Sequence, residues 1–268
     1  VGSGKTIVAL LSMLIAADNG FQSVLMAPTE ILAHQHFNNL SEMLRDMPVS
    51  VKLLTGSSST KKRKEILKAC EDGSMTILIG THAVIEDKVQ FKNLGFAVID
   101  EQHKFGVAQR AKLWNKNSLP PHILVMTATP IPRTLALTAY GDLDYSVIDE
   151  LPPGRQPIET IHRFENKRPQ VMDFIKKEII KGRQVYIVYP LIEESSTLDY
   201  ENLMKGFEEV KSFFPEPKYW ISMVHGRQKA QQKETNMHRF VTGDTQIMVS
   251  TTVIEVGVNI PNASVMVI

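Results

Sequence analysis

The sequence predicts an α/β protein built as two lobes, each a parallel, doubly wound sheet flanked by helices. Three observations carry this. Apolar runs of strand length recur between helix-length segments, the pattern of strands buried on both faces. The chain opens on Val1-Gly2-Ser3-Gly4-Lys5-Thr6, the end of a phosphate-loop pattern, which runs straight into an apolar helix. Leu151-Pro-Pro-Gly-Arg-Gln-Pro157 then sets three prolines and a glycine in seven residues, a stiff linker that divides the pattern in two. The lobes are expected at residues 1–153 and 154–268.

The elements follow in order. Ile7–Ala17 is an apolar helix, Ser23–Pro28 a buried strand, and Thr29-Glu30 caps a helix from about Ile31 to Asp46. Val51–Gly56 is a strand, Ser57–Thr60 a turn and Lys61–Ala69 a short basic helix. Strands at Thr76–Gly80, Phe96–Ile99 and His122–Thr127 complete the first lobe. Beyond the linker come a helix near Pro169–Lys181, the strand Gln184–Tyr189 and a charged helical segment at about Tyr200–Phe214. Strands at Tyr219–Val224, Gln246–Ser250 and Ser264–Ile268 follow. The second half contains no phosphate loop, and no internal repeat is legible. A chain that starts inside a loop without Met and stops within a strand pattern reads as a fragment. Both lobes are therefore expected to be incomplete, the first lacking the strand before its phosphate loop.

With 43% hydrophobic and 22% charged residues in 268, the composition is that of a soluble globular protein with a real core. No run reaches the ~18 apolar residues of a membrane span. The single Cys70 excludes a disulfide framework and fits a reducing cytoplasm. A net charge of +1 means that any nucleic-acid contact must be local.

Chemistry concentrates first at Phe96-Ala97-Val98-Ile99-Asp100-Glu101-Gln102-His103. A buried parallel strand that ends in two acids delivers them to the carboxyl edge of its sheet, where ligands of open α/β sheets bind. Asp100 can hold a Mg²⁺ ion and Glu101 can orient or deprotonate an attacking water. At the opening loop, Gly2, Ser3 and Gly4 offer backbone N–H groups to phosphate oxygens, Lys5 reaches the β/γ-phosphates and the Thr6 hydroxyl ligates Mg²⁺. His34-x-His36 is no metal site, because i and i+2 point to different faces of a helix. The run Thr60-Lys-Lys-Arg-Lys64 reads as a solvated helix face.

The succession G-S-G-K-T, A-P-T-E, G-T-H, D-E-Q-H, T-A-T-P and S-T-T-V-I-E-V-G resembles superfamily 2 helicases and translocases. Longer blocks, at Ala27–His36, Val98–Val107, Met126–Leu135, Gly141–Arg155 and Pro190–Glu194, are similar to the bacterial ATP-dependent DNA helicases that remodel branched DNA. The resemblance implies two RecA-like lobes of the P-loop NTPase class, with ATP and Mg²⁺ as cofactors. It makes Lys5, Asp100, Glu101 and His103 catalytic. Gln102 and His103 would link nucleotide state to Thr127-Ala128-Thr129, with Arg133 in the same coupling block. Gly257 and Asn259 would complete the nucleotide site. DNA contacts are implied at Pro28, Thr29, Thr55, Gly56, Thr81 and His82, and at His225, Arg227, Thr251 and Thr252. Short hydroxyls and N–H groups at loop starts suit phosphates, and they equally serve helix caps and turns.

Asn259 stands where such proteins more often carry Asp, which removes a charge from the ribose side. The arginine-finger motif would fall after Ile268, so the fragment by itself is expected to be nearly inactive as an ATPase. The expected whole is a monomeric translocase that regresses stalled forks and migrates branches in recombination and repair. Its expected partners are duplex or branched DNA and a single-stranded-DNA-binding protein, in the bacterial cytoplasm at the nucleoid, with no membrane. The alternatives are a translocase that couples transcription to repair, or a nucleotide-binding module without turnover.

Overall fold

Five of the apolar runs assemble into one parallel sheet. A computed structural model describes residues 2–101, 116, 119–128, 144–150, 157–189, 196–251 and 260–268, so the expected linker at 151–156 lies outside the described residues. Residues 1–157 and 158–268 form two compact units.

In the first unit, α1 (Lys5–Asp18) leads to β1 (Gln22–Met26), buried at every position. Then come α2 (Glu30–Met43), β2 (Val51–Leu54), α3 (Thr60–Asp72), β3 (Ile77–Gly80), a 3₁₀ turn at His82–Ile85, β4 (Leu94–Ile99) and β5 (His122–Val125). The sheet order is β2-β3-β1-β4-β5, all parallel. Thr29 caps α2 by accepting from the Leu32 N–H at 3.3 Å, and Ser59 caps α3. The strand expected to reach Pro28 ends at Met26: the Ala27 N–H still donates to Gly80 O, and Pro28 has no N–H to continue. Gly80 is required where β3 meets β2, because a Cβ there would lie 2.0 Å from Leu54 O. Val24, Leu54, Ile66, Leu78, Val84 and Ala97 belong to one buried cluster on a face of this sheet.

The second unit runs α4 (Arg168–Ile180), β6 (Gln184–Tyr189), α5 (Ser196–Phe213), β7 (Ile221–Val224), α6 (Ala230–Val241), β8 (Ile247–Thr251) and β9 (Ala263–Val267). Its sheet order is β7-β8-β6-β9, again all parallel. Helix α6 is absent from the sequence reading. Residues 231–236 are all polar, and Met237 and Phe240 are its buried apolar anchors, the latter edge-on to Tyr186 at 4.8 Å. Two anchors near its end are too few to generate a legible helical period.

The two sheets repeat one another, as two RecA-like lobes should, although no repeat is legible in the letters of the sequence. Mapping β2-β3-β1-β4 onto β7-β8-β6-β9 preserves order and direction. The same polar device recurs at the first residue of the central strand. Gln22 Nε2 donates to Cys70 O and Met75 O, at the end of α3 and just before β3. Gln184 Nε2 donates to Phe240 O and Thr245 O, at the end of α6 and just before β8. Each buried amide closes the turn that returns a helix to the sheet. Gln22 Oε1 additionally accepts from the Asn93 N–H at 3.0 Å.

Gln22→Leu keeps the volume and removes the donor to the Met75 carbonyl and the acceptor of the Asn93 N–H, while the Cys70 carbonyl keeps its bond from the Lys92 N–H. It is expected to destabilise the first unit by about 2–4 kcal/mol, read as a lowered urea midpoint. A loss below about 0.5 kcal/mol would show that those groups find other partners.

Candidate functional site

Because every strand of the first sheet runs the same way, all five carboxyl ends emerge on one edge, and the strand order sorts them. β2, β3 and β1 deliver Thr55-Gly56, Thr81-His82 and Pro28-Thr29, the residues expected to meet DNA. β4 and β5 deliver Asp100-Glu101 and Thr127-Ala128, the residues expected to serve the nucleotide.

Asp100 and Glu101 are buried, with 8% and 4% exposure. Buried carboxylates need hydrogen bonds, and the structure supplies them. Asp100 Oδ2 lies 2.8 Å from His36 Nε2, and Asp100 Oδ1 accepts from the Glu101 N–H at 3.0 Å. Glu101 has φ of +48°, in the left-handed region, which costs a residue with a side chain about 1–2 kcal/mol. That backbone turn lets one short segment present both acids. Glu101 Oε2 then accepts from the Ala128 N–H at 3.3 Å, which ties the end of β4 to the end of β5. Coupling to the Thr127-Ala128 segment was expected through Gln102 and His103. Those two residues lie outside the described residues, and the Glu101 carboxylate itself bonds the segment. His36 was set aside as a ligand, and its role beside Asp100 went unread because nothing in the local sequence relates residues 64 positions apart.

The opening loop suits an anion. Gly4 has φ of +90°, a Cβ there would meet nothing within 4 Å, and α1 starts at the next residue. No side chain caps α1 and no acid stands in its first turn, and Ile7 and Val8 already donate to Gly4 O, so the N–H groups ahead of them and the positive dipole end suit phosphate oxygens. α1 packs on β1 and β4 and ends where β1 begins. At 14 residues and ~1.5 Å each, it therefore starts toward the carboxyl edge. Lys5 and Thr6 are half-buried there. The Thr6 hydroxyl and the Asp100 carboxylate are oxygen donors, which suit a hard divalent cation. Each Asp100 oxygen takes one of the hydrogen bonds above and retains a further acceptor direction.

On the other half of the edge, Glu30 clasps the neighbouring loop. Its carboxylate accepts from the Ser57 N–H at 3.0 Å and from the Ser57 hydroxyl at 2.6 Å. The Thr29 hydroxyl caps α2, and the buried Thr55 hydroxyl bonds Ser57 Oγ at 3.0 Å, so both also serve local structure. Thr81 differs: it is 2% exposed, and its Oγ1 has no hydrogen-bond partner among the described residues. Gly56 and His82 are exposed. Arg63 of the basic run pairs with Glu86, while Lys61, Lys62 and Lys64 face solvent as expected.

The second sheet repeats this edge. β7 ends in His225-Gly226-Arg227 beside β8, which ends in Ser250-Thr251, with Val224 paired to Ser250 as Leu54 is to Gly80. Thr251 occupies the place of Thr81 and likewise buries a hydroxyl, at 5% exposure, without a hydrogen-bond partner among the described residues. A polar cavity of about 770 Å³ lies alongside, lined by His225, Arg227, Gln228, Gln231, Gln232 and Thr235, with Asn236 at its end. Gln228 and Asn236 were not singled out from sequence. Their side-chain amides both donate to Met223 O and shape the loop. Burial, then the charges of Lys233 and Arg227, hold the His225 imidazole below its ordinary pKa. Of the other expected site residues, Gln102, His103, Thr129, Arg133, Thr252, Gly257 and Asn259 lie outside the described residues.

Residues 1–138 match the DEAD/DEAH box helicase family and residues 166–268 the helicase conserved C-terminal domain. The ATP-dependent DNA helicase RecG of Aquifex aeolicus (strain VF5) is 51% identical over 269 residues, covering 100% of this chain and 34% of that protein. RecG of Escherichia coli (strain K12) is 47% identical over 272 residues, covering 100% of this chain and 39% of that protein. A solved structure of RecG bound to a three-way DNA junction superposes with a TM-score of 0.82 at 40% identity, over 100% of this chain and 34% of that one. The chain thus spans less than two fifths of the length of each of these relatives. Among the described residues, no helix is long and apolar enough to cross a membrane.

With its pKa lowered, His225 adds stability in its neutral form. That contribution is present above the unfolded value of 6.5 and is lost as pH falls from there to the folded pKa. NMR titration of the His225 ring should give a midpoint below 6.5, and His225→Gln should flatten the acid side of the unit's stability profile. A midpoint at or above the ordinary value would contradict the burial.

Proposed function

The chain belongs to the DEAD/DEAH box helicase family, and from that premise we propose that it is the motor core of an ATP-driven DNA translocase that remodels branched junctions. One observation carries the reading most of the way. The same polar edge occurs in both sheets, a glycine turn beside a buried threonine hydroxyl that has no hydrogen-bond partner among the described residues, and the first sheet adds an acid pair. Two equivalent grips and one fuel site are what a stepping motor needs. The RecG structure on a three-way junction supports branched DNA as the substrate class.

In this reading Gly2, Ser3 and Gly4 cradle the ATP phosphates, and Lys5 offsets their charge. Mg²⁺, held by Thr6 and Asp100, would neutralise charge on the phosphate oxygens. Glu101 orients the attacking water, and its bond to the Ala128 N–H holds it in a turned-back backbone. Thr127 lies next to that contact and passes nucleotide state toward Thr129 and Arg133. Gln102 and His103 act in the same relay, and Gly257 and Asn259, of the lobe at residues 154–268, contribute to nucleotide binding. Thr81 and Thr251 donate hydroxyls to DNA phosphates, flanked by Pro28, Thr29, Thr55, Gly56 and His82 in one lobe and His225, Arg227 and Thr252 in the other. Such contacts are independent of base sequence, as translocation requires. The whole protein works as a monomer in the bacterial cytoplasm, with a single-stranded-DNA-binding protein as neighbour at forks. The bacterial RecG relatives support the bacterial setting.

The deciding measurement is the ATPase rate of the full-length protein with and without a synthetic branched junction. Strong stimulation by the junction over linear duplex is expected, and turnover indifferent to branching would remove branched DNA from the proposal. Glu101→Gln should keep ATP binding and lower turnover by about 10²-fold or more. Thr81→Val and Thr251→Val should each weaken DNA binding by roughly tenfold with the salt dependence unchanged, whereas Arg227→Ala should reduce the salt slope by about one.

A further inference from the structure

We propose that His36 is a positioning residue for the cation-binding carboxylate, holding Asp100 through a donated Nε2–H. The inference rests on the reading of Asp100 as a Mg²⁺ ligand. His36 comes from the middle of α2, is 8% exposed, and places Nε2 2.8 Å from Asp100 Oδ2. An ionised carboxylate can only accept, so Nε2 carries the proton. His34, two residues earlier, is exposed, so it is the helical phase that selects one histidine of the pair.

The contact does what packing alone would not. Asp100 Oδ1 is already held by the Glu101 N–H at 3.0 Å. A single bond at one oxygen leaves the carboxylate free to swing about Cβ–Cγ, and a second bond at the other oxygen stops it. The carboxylate plane is then set by two donors from different elements, α2 and the turn after β4. The acceptor directions that remain are aimed before any cation arrives. Such supporting bonds around a metal ligand ordinarily change cation affinity far more than they change folding. The helix that supplies His36 begins at Thr29 and Glu30, on the half of the edge assigned to DNA. His36 thereby crosses from that half to the acid pair.

The test uses the full-length protein and a fluorescent ATP analogue, with binding followed across Mg²⁺ concentrations so that turnover is not the readout. His36→Phe keeps the bulk and removes the donor; His36→Asn keeps an amide too short to reach; His36→Gln places an amide N–H near the position of Nε2. Phe and Asn should raise the Mg²⁺ concentration for half-maximal nucleotide binding by about 10-fold or more, while Gln should stay within about 3-fold of wild type. Affinity for the nucleotide without Mg²⁺, and for DNA, should not move in any of the three. Equal Mg²⁺ requirements in Phe, Asn and wild type would overturn the proposal, as would equal shifts in all three variants. Nucleotide binding that ignores Mg²⁺ in the wild type would overturn the Mg²⁺ reading of Asp100 and this inference with it.

Discussion

Two adjacent carboxylates buried at the end of one strand are the constraint on which the first lobe's chemistry depends. Neither acid can be left there without donors, and the donors come from places that the topology alone brings together. The Glu101 N–H reaches Asp100 as the next peptide of the chain. The Ala128 N–H reaches Glu101 because β5 lies beside β4. The His36 ring reaches Asp100 because α2 follows β1, the other neighbour of β4. Satisfying the acids therefore fastens three elements to one point.

The second organising feature is repetition. Both sheets return a helix to the sheet with a buried glutamine that takes two carbonyls, and both close the adjacent edge with a glycine turn and a buried threonine. The differences within that shared frame are chemical. The first edge carries acids and short hydroxyls, and Glu30 stiffens it. The second carries His225 and Arg227 over a cavity rich in amide side chains, shaped by Gln228 and Asn236. The proposed function assigns that repeated frame two grips on a chain-like anion, and gives its one acid pair to the nucleotide.

Stability and function share residues only sparingly here. Cys70 is buried, with its thiol pushed up to about 12, and behaves as a small apolar group. Glu178 is buried too, held in its ionised form by Lys181 and Arg183 at the end of α4. Neither lies on a carboxyl edge. Away from those edges, the buried amides of Gln22 and Gln184 close turns.

The amino-acid sequence by itself determined the strands, the phosphate loop and the acid pair, because each is a local pattern. Period, glycine placement and the abrupt change from Ile99 to Asp100 need no partner to be read. Most element ends were also legible to within a few residues, since caps such as Thr29 and Ser59 act over three positions. Helix α6 was not, because its polar segment draws its stability from Met237 and Phe240 meeting the rest of the lobe. The repeat left no matching string of letters because the two lobes share strand order and a pair of carbonyls accepting from one amide. Which half of the edge each motif joins, and which histidine of His34-x-His36 meets Asp100, only the tertiary structure decided. Both depend on strand order and helical phase, which bring together residues that local chemistry keeps far apart.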